Sequence, residues 1–110
     1  FKIIHCDEFQ TEGIDKIVKR IKKRVGNNPL YLSIDIDVLD PAYAPGTGTP
    51  EIAGMTTREI VNVIRGFSGM NLISADVVEV SPVYDHAEVT SLAAATIIYE
   101  LTNLFAKKKL

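Results

Sequence analysis

The sequence predicts an α/β fold: a parallel β-sheet with helices on both faces, a three-layer α/β/α arrangement left incomplete in this chain. Three observations carry that prediction. Strand-like apolar segments at residues 1–4, 30–36 and 72–80 alternate with segments of helical periodicity, which implies right-handed crossovers and parallel pairing. The segment from Leu72 to Val80 is apolar at residues of both parities apart from Ser74, Asp76 and Glu79, as in a strand buried on both faces. Three strands fall short of a sheet with both edges managed, so the 110 residues are expected to be a piece of a larger domain.

Taken in order, Phe1 to Ile4 reads as a short strand with no initiator Met and no signal-peptide pattern. Ile14, Ile17, Val18, Ile21 and Val25 fall at helical spacing, surrounded by Lys16, Lys19, Arg20, Lys22, Lys23 and Arg24. That basic run reads as the solvated face of an amphipathic helix rather than a phosphate site. Gly26-Asn27-Asn28-Pro29 stops the helix. From Leu30 to Ile36 the period is two, with Leu30, Leu32, Ile34 and Ile36 on one face and Tyr31, Ser33, Asp35 and Asp37 on the other. A loop rich in Pro, Gly and Thr spans residues 40–54. Thr56-Thr57-Arg58-Glu59 is a capping box, and Ile60, Val61, Val63, Ile64 and Phe67 give the helix after it an apolar face that ends at Gly66 or Gly69. Ser81-Pro82 breaks the last strand, and Thr90 or Ser91 is expected to cap a final helix.

Composition narrows the function. The chain is 46% hydrophobic and 24% charged with a net charge of −2, which suits one globular core and gives no global basic field for nucleic acid. Its single cysteine, Cys6, excludes a disulfide framework and reads as a small buried hydrophobe. The run from Val89 to Phe105 includes Thr90, Ser91, Thr96, Glu100, Thr102 and Asn103 and reads as too polar and too short to span a membrane. The compartment stays unknown, with cytoplasm or mitochondrion favoured.

Ligands of open parallel sheets bind at the carboxyl ends of the strands, and three features gather there. Period two puts the Asp35 and Asp37 carboxylates on one face, about 6.5–7 Å apart. Paired anions call for a cation, and all-oxygen donors suit Mg²⁺ or Mn²⁺; a turn cap is the alternative, although Asp40-Pro41 already serves that turn. Pro45-Gly46-Thr47-Gly48-Thr49-Pro50 permits close backbone approach to a ligand but is no Walker A loop. Glu79 closes a run of valines at a strand end, where it pairs either with an internal Lys or Arg or with a cationic ligand such as a guanidinium.

The segment Ser33-Ile34-Asp35-Ile36-Asp37-Val38-Leu39-Asp40-Pro41, with its Pro45–Pro50 loop, resembles the C-terminal metal signature of the ureohydrolases, the family of arginase and agmatinase. Ala75 to Asp85, followed by Thr90-Ser91-Leu92-Ala93-Ala94-Ala95, is most similar to agmatinases. The resemblance implies an arginase-like fold of which residues 1–110 are the C-terminal portion. It implies a binuclear Mn²⁺ centre bridged by Asp35, ligated by Asp37 and completed by upstream residues, with Glu79 on the guanidinium and Thr49 beside it. It further implies hydrolysis of agmatine to putrescine and urea by a hydroxide that attacks the guanidinium carbon. Self-association of the full protein as trimers or hexamers is implied too, with a small guanidino substrate as partner and neither nucleic acid nor membrane.

The chain departs from the family pattern in places. The upstream metal-ligand motifs and the proton-shuttle histidine are absent, and His5 and His86 do not match them. His86 reads as a surface-loop residue. Ala53-Gly54 stands where the family carries a glycine pair and is expected to perturb the turn little. No catalytic residue is assigned in this segment. Other ureohydrolase specificities (guanidinobutyrase, arginase, formiminoglutamase), an aspartyl-nucleophile phosphotransferase using Asp35, and a catalytically silent assembly domain are the competing readings.

Overall fold

The computed structural model describes residues 1–108. Its elements run α1 (Cys6–Glu12), α2 (Ile14–Val25), β1 (Leu30–Asp35), a 3₁₀ turn (Ile36–Val38), α3 (Thr57–Gly66), β2 (Leu72–Val78), a second 3₁₀ turn (Pro82–Tyr84) and α4 (Val89–Lys108). The strands β1 and β2 pair in parallel, joined through α3 as the crossover helix.

The expected first strand is not there. Residues 1–5 belong to no strand, and Phe1 and Ile3 are exposed, because an extended segment needs a neighbouring strand to become part of a sheet. The next residues form α1, which is too short to show a periodic apolar stripe. It starts where the His5 amide donates to Glu8 Oε1 at 2.8 Å and the Glu8 amide donates to the His5 carbonyl at 3.0 Å. Cys6, expected in the core, is exposed on this helix.

On α2, Ile17 and Val18 are buried, as the apolar stripe requires. The basic face is partly engaged. Arg20 Nη1 reaches Glu8 at 3.0 Å and Glu12 at 2.6 Å, fastening α1 to α2. Lys22 Nζ donates to the carbonyls of Gly66 and Ser68 at 3.1 and 2.8 Å. Helices α2 and α3 pack closely at Gly66, where an added Cβ would lie 2.9 Å from Val18 Cγ1.

The capping box forms as read: the Glu59 amide donates to Thr56 Oγ1 at 3.1 Å, and the Thr56 amide donates to Glu59 Oε2 at 2.8 Å. The cap of α4 differs from expectation. Asp85 accepts from the amides of Thr90 and Ser91 at 2.9 and 3.0 Å, so the helix begins at Val89 under an aspartate cap.

That helix is also longer than the sequence suggested. By length and composition alone, Val89–Lys107 suffices to cross a membrane. Yet Ala93, Ala94, Ile97 and Leu101 face the core, and buried Glu100 takes a bidentate pair from Arg65 at 3.0 and 2.6 Å, which joins α4 to α3.

One core unites Val18, Ile34, Ile36, Ile60, Val63, Ile64, Ile97 and Leu101, with Leu30, Leu32, Ala75 and Val77 packed against it. The other face of the pair carries Tyr31, Ser33 and Ser74, all exposed. β2 is therefore not buried on both faces as its composition suggested; Ile73 is 58% exposed. The helices described here cover one face of two strands, and a three-layer sheet needs more chain than this.

Candidate functional site

Strand β1 stops at Asp35 because the backbone there turns into the Ile36–Val38 3₁₀ turn. Asp35 caps this turn, its Oδ1 accepting from the Asp37 amide at 3.1 Å. This corrects the expectation that both carboxylates stand on one strand face: only Asp35 lies in the strand, and Asp37 lies in the turn beyond it. Both side chains are half-buried. The metal and turn-cap readings are thus compatible, since only one Asp35 oxygen caps the turn that carries Asp37.

Asp37 is tied to the loop that follows, with Thr49 Oγ1 donating to Asp37 Oδ2 at 2.8 Å. Thr49, expected beside the guanidinium, therefore reaches the second carboxylate of the Asp pair. Asp40 serves the turn as read, accepting from the Ala42 amide at 2.8 Å and the Ala53 amide at 2.9 Å. Beneath this turn Gly54 packs against backbone, where an added Cβ would fall 2.6 Å from the Asp40 nitrogen. Ala53 pays for the missing glycine: its φ of 67° is left-handed, a conformation that costs a Cβ-bearing residue about 1–2 kcal/mol.

The Pro45–Pro50 loop is anchored to α4. The Gly46 amide donates to Thr90 Oγ1 at 2.8 Å, and the Gly46 carbonyl accepts from the Ser81 amide at 2.8 Å. A Cβ at Gly46 would lie 2.8 Å from Asp85 Cβ and 2.9 Å from Thr90 Oγ1, so glycine is required by close approach. Thr47 is buried beside it, and its hydroxyl has no hydrogen-bond partner among the described residues.

Glu79 follows the last residue of β2. It is exposed rather than buried, and its φ of 66° places it in the left-handed region. Such a conformation in a non-glycine residue redirects the side chain off the strand's alternation.

Burial pushes the Asp35 carboxyl above its ordinary value; the Asp37 amide opposes this, while the carboxylates of Asp37 and Glu79 raise it further. Like charges held this way favour a bound cation. The donor set of Asp35 and Asp37 is all-oxygen and fits a hard divalent ion, although two carboxylates supply only part of a six-coordinate shell. Among the described residues no three His, Cys, Asp or Glu side chains are gathered to hold a metal.

Asp85 behaves differently. Burial raises its pKa, but hydrogen bonds from Thr90 and Ser91 outweigh that and hold it far below the usual carboxylate range. His86 is exposed in the loop, as read, and exposed His5 stands at the start of α1.

Sequence reasoning missed two groups. Asp85 and Thr90 anchor the Gly46 loop, and an Asp five residues before a Thr-Ser pair was the available signal for a cap. Tyr31, Ser33 and Asp76 form a cross-strand cluster that no motif announced.

The arginase-family model matches residues 1–103. An agmatinase of Photorhabdus laumondii is 47% identical over 109 residues, which are 99% of this chain and 36% of that protein. The crystal structure of a hypothetical agmatinase from Burkholderia thailandensis superposes with a TM-score of 0.96 at 42% identity, covering 99% of this chain and 35% of the other. Proclavaminate amidino hydrolase from Streptomyces clavuligerus superposes with a TM-score of 0.94 at 42% identity, covering 96% and 36%. The chain spans 26–36% of the length of the curated relatives it matches.

Proposed function

The chain belongs to the arginase family, and from that premise we propose that it is the C-terminal portion of a manganese-dependent hydrolase acting on a guanidino substrate, agmatine, to give urea and putrescine. One observation carries the reading: Asp35 closes β1, Asp37 follows it in the 3₁₀ turn, and Glu79 follows β2, the strand paired in parallel with β1.

In this reading Asp35 and Asp37 hold divalent metal together with residues of the rest of the domain. When bound, a manganese pair makes hydroxide available at neutral pH. The chain's own residues do the rest of the work assigned here. The Asp37 amide orients Asp35, and the Thr49 hydroxyl orients Asp37, which fixes where both carboxylates point. Glu79 receives the planar guanidinium through charge-assisted hydrogen bonds and turns its carbon toward the metal side of the cluster.

Charge supports an amine-tailed substrate over one with a carboxylate. Residues 40–54 and 79–89, the loops after the two strands, contain Asp40, Glu51, Glu79, Asp85 and Glu88 but neither Lys nor Arg. Membership of the family removes the aspartyl-nucleophile alternative, and self-association of the full protein as a trimer or hexamer remains part of the proposal.

The test is urea release by the full-length protein with manganese, comparing agmatine with arginine. Turnover of agmatine with little of arginine is expected. Turnover of arginine alone would overturn the substrate, and urea from neither would overturn the activity.

A further inference from the structure

Asp76 sits in the middle of β2, on the sheet face that the helices leave uncovered. Aspartate is a poor strand former, so its place there calls for a reason. Its carboxylate accepts hydrogen bonds from two hydroxyls of β1: Tyr31 Oη on one oxygen, and Ser33 Oγ on the other at 2.7 Å. The consequences match. The Tyr31 and Ser33 hydroxyls hold Asp76 below its ordinary pKa, and the Asp76 carboxylate pushes Tyr31 above its own.

The amino-acid pattern of β2 by itself does little to choose its register. Leu72, Ile73, Ala75, Val77 and Val78 are apolar at both parities, so hydrophobic pattern alone does not say which set turns inward. The ladder in fact slips once: Leu30 pairs with Leu72, but Tyr31 pairs with Ser74, leaving Ile73 as an extra residue. Regular pairing resumes at Tyr31 and runs through Ser33 with Asp76 to Asp35 with Val78. The hydroxyl–carboxylate clamp stands where the slip ends.

We propose that Asp76, clamped by Tyr31 and Ser33, is a positioning residue that fixes the register of β2 on β1 and so sets Glu79 against the Asp35 and Asp37 pair. The proposal rests on the reading of Glu79 as the guanidinium-binding carboxylate. Ser33 lies two residues before Asp35, and Asp76 lies three before Glu79, so the clamp fixes both strands immediately upstream of the site. A slip of one residue would carry Glu79 about 3.3 Å along the strand. A hydrogen bond near 2.9 Å does not survive such a displacement.

The test uses the full-length protein with agmatine as probe, measuring kcat, KM and manganese content. Asp76→Ala is expected to raise KM tenfold or more while manganese content stays unchanged. Glu79→Gln, introduced into Asp76→Ala, should then cost threefold or less, because a misplaced carboxylate has little binding left to lose. A merely structural role for Asp76 would leave the Glu79→Gln penalty the same in both backgrounds. Ser33→Ala and Tyr31→Phe each remove one donor and should raise KM severalfold; they answer the question even where Asp76→Ala does not fold. Asp76→Asn, which keeps an acceptor, should recover part of the loss. An equal Glu79→Gln penalty in both backgrounds, or an unchanged KM in both single-donor variants, overturns the positioning role. A Glu79→Gln variant with no effect in the otherwise native protein would instead overturn the guanidinium reading beneath it.

Discussion

The two strand ends carry acids of the same chemistry but are held by different means. Beyond Asp35 the chain secures itself at every step: the Asp37 amide on Asp35, Thr49 on Asp37, two amides on Asp40, and Gly46 seated on the cap of α4. Beyond Val78 the chain gives Glu79 an exposed side chain and a left-handed backbone. The difference teaches where each kind of group gets its precision. In the proposed reading, carboxylates that share a cation repel one another and are fixed by local hydrogen bonds. The carboxylate proposed for the substrate is set from a distance, by the register of the strand that carries it.

The largest effect should fall on the secured end. In the full-length protein, Asp35→Asn or Asp37→Asn should remove manganese and urea release together. A loss above ~100-fold is expected, since outer-shell partners of a metal alone are worth ~10–100-fold. Activity and metal content measured on the same preparation check this. At the other end, Glu79→Gln should leave manganese in place and lower kcat/KM for agmatine by about 10–150-fold, the equivalent of ~1.5–3 kcal/mol for a charge-assisted hydrogen bond. Loss of metal in that variant would erase the contrast between the two ends.

How much of this was legible in the sequence follows the same division. The helices were readable where an apolar stripe or a capping box specified them, as in α2 and at Thr56 and Glu59. The pairing of acids at strand ends was readable because Asp-x-Asp and a terminal Glu are short patterns. What escaped depends on partners that periodicity does not register. Residues 1–4 look like a strand and form none, since strand pairing is a property of the neighbour. Asp37 leaves the strand because Asp35 caps a turn, a competition that alternation does not register. Asp76 reads as a polar interruption until Tyr31 and Ser33 are seen opposite it.

Smaller effects sharpen the picture of the anchored loop. Gly46→Ala would drive a methyl into Asp85 and Thr90 and should cost about 1–3 kcal/mol in chemical denaturation, as overpacking does. Asp85 gives the same anchor a pH dependence. Its folded pKa lies below the unfolded value near 3.9, so the carboxylate's stabilisation is complete above about pH 4 and declines as pH falls toward the folded value. Asp85→Asn should flatten the acid limb of a Tm-against-pH profile, and an unchanged limb would remove Asp85 from that role. Smallest, Ala53→Gly should relieve a left-handed alanine and gain about 1 kcal/mol, read from the same denaturation curves.

If these 110 residues supply only part of a metal and guanidinium site, titration of manganese into the 110-residue chain, paired with a urea assay on agmatine, will show it. Asp35 and Asp37 should bind at most one ion, weakly, with that binding lost in Asp37→Asn and no urea formed. Two tightly held ions or steady urea production would mean that the site is complete in this chain.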